Sequence, residues 1–286
     1  MPELPEVETV VRGLRPRLIG QRILRAEIRQ PPSHGVVKGS VSQFRKTLQG
    51  AAIRGVERRA KYILVGLDTG GTKGLHTWIV HLGMSGQLYA CQPQAERLKH
   101  THLVVSLSGG EQVRFCDPRR FGKTLVIPSS ALSDYLSKVG PDPLKISQQD
   151  FHSLMEGRKA PVKNLLLNQT LLGGVGNIYA NEALFLARIH PAISAGKLTE
   201  RQTSALHKAL RKVLLAAIAA NGTTVSDYRT SEGEPGWYQN RLRVYDREGR
   251  PCPRCRTKIR RLVLIGRSAH YCPACQLKRK KKDRQN

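Results

Sequence analysis

The chain has 286 residues, of which 40% are hydrophobic and 24% are charged, so it has the length of two domains and the composition of a globular protein. A peptide hormone, a small disulfide-held scaffold and wholesale disorder are excluded. Its 48 lysines and arginines outnumber 21 acidic residues, which gives a formal net charge of +27 at pH 7. An excess of this size predicts an anionic partner, and nucleic acid is the leading candidate.

Two features bear on the cellular location of the protein. No stretch approaches the roughly 18 consecutive apolar residues that a membrane span needs. The first six residues, Met1 to Glu6, have neither the basic nor the apolar region of a secretory signal. We therefore expect a cytoplasmic protein with no membrane partner.

The first half of the chain shows one helical pattern followed by strand patterns. Apolar residues recur at helical spacing over residues 5–19, where Pro5 suits the first turn and Pro16 argues against a helical last turn. From Ile23 to about Ile127, short runs rich in Val, Ile, Leu and Tyr alternate with Gly-rich turns. We predict an antiparallel sandwich or barrel packed against the first helix, with strands that include residues 62–67, 77–82, 102–107 and 124–127.

The second half has helical spacing after Pro143. Ser147 is a candidate N-cap, and the longest helix, at 199–221, begins with Thr199 and Gln202 at capping-box spacing. The last 36 residues carry 12 Lys or Arg and a single acid. We expect a mainly helical second domain with further helices at 163–169 and 177–187, then a metal-ordered ribbon and a disordered basic tail.

Four of the six cysteines form two C-x-x-C pairs, Cys252 with Cys255 and Cys272 with Cys275. This is the spacing of a tetrahedral four-cysteine zinc site, which is structural because protein fills all four ligand positions. Free or disulfide-paired thiols are the alternative. The surrounding arginines and lysines are either a phosphate-binding face or simply a solvated one.

A glycine-rich turn, Gly173 to Gly176, precedes the helix that begins at Asn177. Free backbone N–H groups at such a helix start can hold a phosphate. The spacing is neither that of a P-loop nor that of a dinucleotide fingerprint, and a helix-turn-helix fits better. The alternative is that the glycines only allow close helix packing.

A second candidate element is the wedge loop, residues 117–122, where Arg119 and Arg120 stand beside Phe121. An aromatic ring can fill the gap left when a base leaves the stack, and an arginine can read the orphaned base or hold a phosphate. Met84 lies in a similar Gly-bounded turn and is either a second wedge or a core residue.

The N-terminus offers a nucleophile. Removal of Met1 leaves the secondary amine of Pro2, and an α-amino group titrates near pH 8, so part of it is neutral at physiological pH. Attack on C1′ of a deoxyribose gives an iminium ion, which makes the C2′ proton acidic and permits strand scission. Glu3 can then act as a general acid or base. The alternative is an ordinary processed terminus before a helix.

Together these motifs resemble the formamidopyrimidine-DNA glycosylases, bacterial enzymes that excise oxidised purines. The resemblance covers nearly the whole chain, and the motifs that carry it are residues 2–9, 58–62, 81–86, 117–122, 174–182 and the terminal ribbon. It implies an α+β fold: an N-terminal helix with an antiparallel β-sandwich, then a helix-two-turns-helix domain with a zinc ribbon. Duplex DNA would lie between the domains with the damaged nucleotide flipped out.

The resemblance also implies a role for individual residues. Pro2 is the nucleophile, Glu3 is the general acid, and Lys61 contacts phosphate and assists catalysis. Glu6 and Glu182 support the pocket, and residues 228–238 form a flexible lid over the extruded base. The implied DNA contacts are Met84, His100, Arg119, Arg120, Phe121, Lys163, Asn177 and Arg267.

From this resemblance we predict a monomeric glycosylase and AP lyase that acts on DNA with 8-oxoguanine or formamidopyrimidines, binds one structural Zn²⁺ and associates with the bacterial nucleoid. The predicted domains are 1–135, 145–240, 241–276 and a tail at 277–286. Asn168 and Thr101 depart from the family pattern. Leu4 and the long lid argue against the sister group, the endonuclease VIII-like enzymes. A zinc-ribbon DNA-binding protein without activity is the rival reading, and it needs neither Glu3 nor Lys61.

Overall fold

The computed structural model describes residues 1–29, 36–70, 74–224 and 228–278. The chain divides into two compact units, Met1–Lys138 with Ala217–Gln239, and Val139–Ala216 with the chain from Asn240 onward. The four-part division expected from the sequence stays a prediction. The expected disorder of the tail falls on residues 277–286, of which 279–286 lie outside the described residues.

The first unit begins with helix α1, Leu4–Leu18. The Glu3 N–H donates to the Glu6 carboxylate at 2.8 Å and closes a capping box at the first turn. Pro16 does not end the helix, contrary to the expectation. It removes one N–H donor near the helix end, and the Ile19 N–H still bonds to the Arg15 carbonyl at 3.2 Å.

Two four-stranded antiparallel sheets follow, which confirms the β-rich N-terminal region. One has the order β1-β6-β7-β5 and the other β2-β3-β4-β8. Their strands are β1 Ile23–Ile28, β2 Ala52–Arg59, β3 Tyr62–Asp68, β4 Leu75–His81, β5 Gln87–Cys91, β6 Thr101–Leu107, β7 Gln112–Cys116 and β8 Lys123–Pro128. Side chains of α1 and of both sheets form one buried core that includes Val7, Val11, Leu14, Trp78, Leu103 and Phe115.

Two short helices lie where the sequence indicated none. In α2, Val41–Leu48, the Ser40 hydroxyl accepts the Gln43 N–H at 3.2 Å, and Phe44 and Leu48 are buried. The other, α3, spans Leu132–Leu136. Eight and five residues give too few apolar positions to reveal a helical period within a strand-rich region.

The second unit is helical, as predicted. Its helices are α4 Gln148–Ser153, α5 Val162–Leu167, α6 Asn177–Leu186 and α7 Glu200–Ala219, whose last turn belongs to the first unit. The predicted caps form: Ser147 accepts the Asp150 N–H at 3.0 Å, and Thr199 accepts the Gln202 N–H at 3.3 Å.

The ribbon follows as the antiparallel hairpin β9 Arg260–Leu264 and β10 Arg267–Tyr271. Phe185 of α6 packs with Val244, Ile259, Cys252 and Cys272 in a small core. Among the helices of the described residues, none has both the length and the apolar composition to cross a membrane.

Candidate active site and nucleic-acid interface

The start of α1 buries two carboxylates beside the chain terminus. Pro2 is buried, and Glu3 and Glu6 are 3% and 2% exposed. One Glu6 oxygen accepts the Glu3 N–H and the other accepts the Thr223 N–H, each at 2.8 Å. Glu6 therefore ties the first turn of the helix to the chain at residue 223, while Glu3 lies next to the terminus.

Lys61 lies in the two-residue turn between β2 and β3. Ala60 precedes it with a φ of 52°, a left-handed conformation that is uncommon for alanine, and Lys61 itself is only 6% exposed. The hairpin thus holds a buried ammonium group in place, in a backbone that costs free energy to form.

The electrostatic environment of the N-terminal amine joins these residues into one site. Burial lowers the pKa of the Met1 amine below its ordinary value; Glu3 and Glu6 raise it, and Lys61 and Arg119 lower it. Charges act on a pKa this way only at short range. The structure therefore brings together the predicted Glu3, Glu6, Lys61 and Arg119 around the start of the chain.

His81, at the end of β4, belongs to the same surroundings, and the sequence reasoning assigned it no role. Burial, reinforced by the charges of Lys61 and Lys123, lowers the pKa of His81 to about 4. Its Nδ1 accepts the Gly83 N–H at 3.1 Å, so the neutral ring carries its proton on Nε2. The only sequence signal was its position directly before Leu82-Gly83-Met84.

The wedge loop is built around a buried carboxylate. Asp117 is fully buried; its Oδ1 accepts the Ser85 hydroxyl at 2.6 Å and its Oδ2 accepts the Gly122 N–H at 2.7 Å. Phe121 remains 57% exposed and Met84 is 40% exposed. A polar anchor thus holds two apolar side chains out into solvent.

Glycine is required where the two wedge turns meet. Gly83 has a φ of 64°, and an added Cβ would lie 2.5 Å from the Gly122 nitrogen. The Met84 turn and the wedge loop therefore touch backbone to backbone. Met84, Arg119 and Phe121, which were expected to act together, lie on two adjoining turns.

His100 and Arg120 both have left-handed backbones, with φ of 68° and 56°. The His100 carbonyl accepts the Asp117 N–H at 3.1 Å, which joins the loop before β6 to the wedge loop. Both side chains line one cavity beside the wedge loop. Thr101 is one of the two residues that depart from the family pattern. Its hydroxyl donates to the Leu98 carbonyl at 2.7 Å, so a neighbouring residue satisfies its hydrogen-bonding group.

In the second unit, Asn177 is the first residue of α6 and follows the glycine-rich turn, and Arg267 is the exposed first residue of β10. Buried Asn181 connects these two elements: its amide donates to the Asn177 carbonyl at 2.6 Å and its Oδ1 accepts the His270 N–H at 2.9 Å. Asn168, the other departure, accepts the Thr170 N–H at 3.0 Å after α5.

Lys163 and Glu182 lie in the interior of the second unit. Lys163 is fully buried and donates to the Ser268 carbonyl of β10, a position that argues against a direct phosphate contact. The Glu182 carboxylate accepts the N–H groups of residues 243–245 at 2.9 to 3.0 Å. Burial raises the pKa of Glu182, and these donors oppose the rise. Both side chains hold other segments in place.

The four cysteines of the ribbon converge. Their Sγ atoms all lie within 4.8 Å of one another, and the Cys255–Cys272 and Cys252–Cys275 pairs are 3.4 and 4.0 Å apart. A tetrahedral site with Zn–S bonds of about 2.3 Å needs sulfurs about 3.8 Å apart. The residues fit one structural zinc ion, as predicted.

The predicted lid packs on α1 in this structure. The Tyr228 hydroxyl donates to the Glu6 carbonyl at 3.4 Å, and Ser231 lies so close to Gly13 that any side chain there would overlap it. Gly233 has a φ of 86°, which glycine adopts without strain. Within the first unit, the segment therefore rests on the same helix that carries Glu3 and Glu6.

Three family models match this chain. The N-terminal domain of formamidopyrimidine-DNA glycosylase matches residues 1–124, the H2TH domain of the same enzymes matches 139–229, and a zinc finger found in FPG and IleRS matches 249–277.

Relatives and solved structures agree with these models. A formamidopyrimidine-DNA glycosylase of Symbiobacterium thermophilum is 44% identical, over 96% of this chain and 89% of its own length. One from Pelotomaculum thermopropionicum is 42% identical, over 96% and 99%. The Lactococcus lactis Fpg in complex with DNA containing an abasic site has a TM-score of 0.87 at 35% identity, over 96% of this chain and 100% of that one. The chain belongs to the formamidopyrimidine-DNA glycosylase family.

Proposed function

We propose that this protein removes oxidised purines, namely 8-oxoguanine and formamidopyrimidines, from duplex DNA and then cuts the strand at the resulting site. Family membership and the curated relatives' names support a DNA glycosylase of base excision repair. Lactococcus lactis Fpg has been solved with Fapy-dG DNA and with abasic DNA. In a reaction that first excises the base and then cuts the strand, these two DNAs are the substrate and the intermediate. The protein acts as a monomer.

The nucleophile is the amine of Pro2 after removal of Met1. A neutral amine is needed for attack, and Pro2 is buried next to the Met1 amine, whose pKa burial lowers. The nitrogen forms a bond to C1′ of the deoxyribose, and the bond from C1′ to the base nitrogen breaks. Its electron pair leaves with the base, which takes up a proton, and the sugar ring opens to an iminium ion.

Glu3 protonates the ring oxygen as the sugar opens, and its buried position beside the terminus suits a carboxyl group that must carry a proton. Loss of the C2′ proton expels the 3′ phosphate, and loss of the C4′ proton then expels the 5′ phosphate. Lys61 contacts a phosphate next to the lesion and keeps positive charge near the reacting sugar. These two eliminations are the β and δ steps of the lyase reaction.

DNA contacts on each unit hold the substrate open. In the first unit, Met84, Arg119 and Phe121 fill the space of the flipped nucleotide, and Arg119 faces the orphaned base. In the second, Asn177 and Arg267 contact phosphates, and buried Lys163 acts by holding β10. The zinc ion, when bound, supplies folding free energy to the ribbon and no open coordination position for chemistry.

One observation carries the proposal: buried Glu3 and Lys61 both act on the charge of the amine at the start of the chain, next to buried Pro2. A binding protein gains nothing from such an arrangement, whereas amine catalysis requires it. The test is cleavage of duplexes that each contain one 8-oxoguanine, formamidopyrimidine or oxidised pyrimidine. We expect excision of both purine lesions with strand cleavage. Tight binding of the purine lesions without release of any base would contradict the proposal.

A further inference from the structure

A cavity of about 390 Å³ beside the wedge loop is lined by three arginines and two histidines: Arg29, Arg97, Arg120, His100 and His102. The family resemblance assigns DNA contacts to His100 and Arg120 but leaves Arg29 and Arg97 without a role. These two come from different segments, the end of β1 and the loop between β5 and β6. The fold therefore collects guanidinium groups that are far apart in the sequence.

One carboxylate holds the two unassigned arginines next to each other. Glu27 accepts the Arg29 Nε–H at 2.6 Å, and the Arg97 Nη1 lies 4.0 Å from the same oxygen. A single negative charge shared by two guanidinium groups leaves an excess of positive charge. The Arg29 and Arg97 side chains are 48% and 33% exposed, so N–H groups still face solvent. Guanidinium groups arranged this way suit a phosphate.

Arg114 fixes the loop that supplies Arg97 and His100. Its side chain is fully buried and donates to the carbonyls of Pro93 and Ala95, each at 2.9 Å, and of Glu96 at 3.1 Å. Burying a charge is costly unless its donors are satisfied, and here the carbonyl oxygens of one loop and the Gln112 side chain satisfy them. The Arg114 guanidinium group therefore bonds to the loop in place of water, and it fixes the backbone of residues 92–96, directly before Arg97.

The backbone at the cavity is strained on both sides. His100 and Arg120 adopt left-handed φ values, and the His100 carbonyl is bound to the Asp117 N–H of the wedge loop. Strain of this kind persists only where surrounding contacts enforce it, and it concentrates at binding sites. The loop before β6 and the wedge loop are therefore held together at the cavity.

We propose that this cavity binds a backbone phosphate of duplex DNA, with Arg29 and Arg97 as phosphate ligands and Arg114 as the positioning residue of their loop. The proposal rests on the proposed function, because it needs DNA to lie against the wedge loop. It adds two ligands and one positioning residue to the expected contacts.

The test measures the affinity of the full zinc-loaded protein for an undamaged and an 8-oxoguanine duplex at several salt concentrations. We expect Arg29→Gln combined with Arg97→Gln to weaken binding about tenfold at low salt and to reduce the slope of log K against log salt by about 0.9, the loss of one phosphate contact. Arg54→Gln removes an exposed arginine of β2 and is the matched control, with an unchanged slope.

Arg114 is tested by a double-mutant cycle. We expect Arg114→Lys to weaken binding, and to weaken it much less when Arg29→Gln and Arg97→Gln are already present. A thermal melt confirms that each variant is folded, and the Arg29 and Arg97 variants decide the phosphate site even if Arg114→Lys does not fold.

An unchanged salt slope in the Arg29 and Arg97 double variant, in a protein that still excises 8-oxoguanine, overturns this inference alone. An additive effect of Arg114→Lys overturns its positioning role. Failure of the unaltered protein to excise any lesion would instead contradict the proposed function.

Discussion

The two compact units bury ionisable side chains in different ways. Around the chain terminus of the first unit, Glu3, Glu6 and Lys61 all act on the pKa of the terminal amine. In the second unit, buried Lys163 and Glu182 are matched to backbone groups, a carbonyl in one case and N–H groups in the other. Several charges that act on the protonation of one amine suit chemistry, whereas charges bonded to backbone groups, as Lys163 and Glu182 are and as Glu6 is in part, hold segments in place. Substitutions in the two units should therefore have different effects.

The largest expected effect is loss of the zinc site. Cys272→Ser or chelation should unfold the ribbon, because metal binding supplies on the order of 10 kcal/mol of its folding free energy. DNA binding should disappear while the first unit keeps its fold. Circular dichroism, zinc content and DNA binding measured on the same samples check this, with Cys91→Ser as a control cysteine outside the cluster. Unchanged affinity after verified metal loss would count against it.

In the first unit, Glu3→Gln should separate chemistry from binding. Loss of a general acid lowers the rate about 10²–10⁴-fold. Glutamine keeps the size of the side chain, so we expect lesion binding within about twofold of the unaltered protein. Single-turnover excision and equilibrium binding are the measurements, and Glu8→Gln, on the same helix, is the control. A variant that excises at the normal rate would favour a passive binding protein.

His81 provides a pH test of the buried cluster. Its folded pKa is about 4, below the usual 6.5, so the unfolded state binds the proton more readily. The stability that it contributes is therefore present above pH 6.5 and is lost as the pH falls toward 4. The loss amounts to about 3 kcal/mol. Urea unfolding at pH 7 and pH 4.5 should show a smaller decrease in His81→Gln, and an equal decrease in both proteins would contradict the assignment.

The smallest effect distinguishes a scaffold lysine from a phosphate ligand. Lys163→Met leaves the Ser268 carbonyl without its donor and should cost about 1–3 kcal/mol of stability. If Lys163 only holds β10, the salt slope of DNA binding stays the same. A salt slope lower by about 0.9 in the variant would instead support the direct phosphate contact of Lys163 that the family resemblance implies. Lys159 is exposed, so Lys159→Met is the control for the loss of one positive charge without loss of the bond to Ser268.

Much of the architecture was predictable because local signals agreed with the fold. The spacing of Val7, Val11 and Leu14 indicated α1, and Ser147 and Thr199 indicated helix starts that the structure confirms. The four cysteines gave the zinc site from spacing alone. In each case a few neighbouring residues determine the outcome.

What the sequence could not provide was burial. Lys163 is interpreted as a surface phosphate ligand from residue type and resemblance, and only the structure places its ammonium against β10. The pKa of His81 depends on lysines from other parts of the chain, and the burial of Arg114 depends on backbone carbonyls of the loop before Arg97. Helix α2 was missed because eight residues carry too little of a helical period.

The most direct test of the central claim is borohydride trapping on an 8-oxoguanine duplex, followed by mass spectrometry of the trapped peptide. The amine chemistry predicts one covalent DNA adduct per protein, attached to the nitrogen of Pro2, and none in a variant that retains an extended N-terminus. An adduct on an internal lysine, or full trapping and cleavage by the extended variant, would contradict the account.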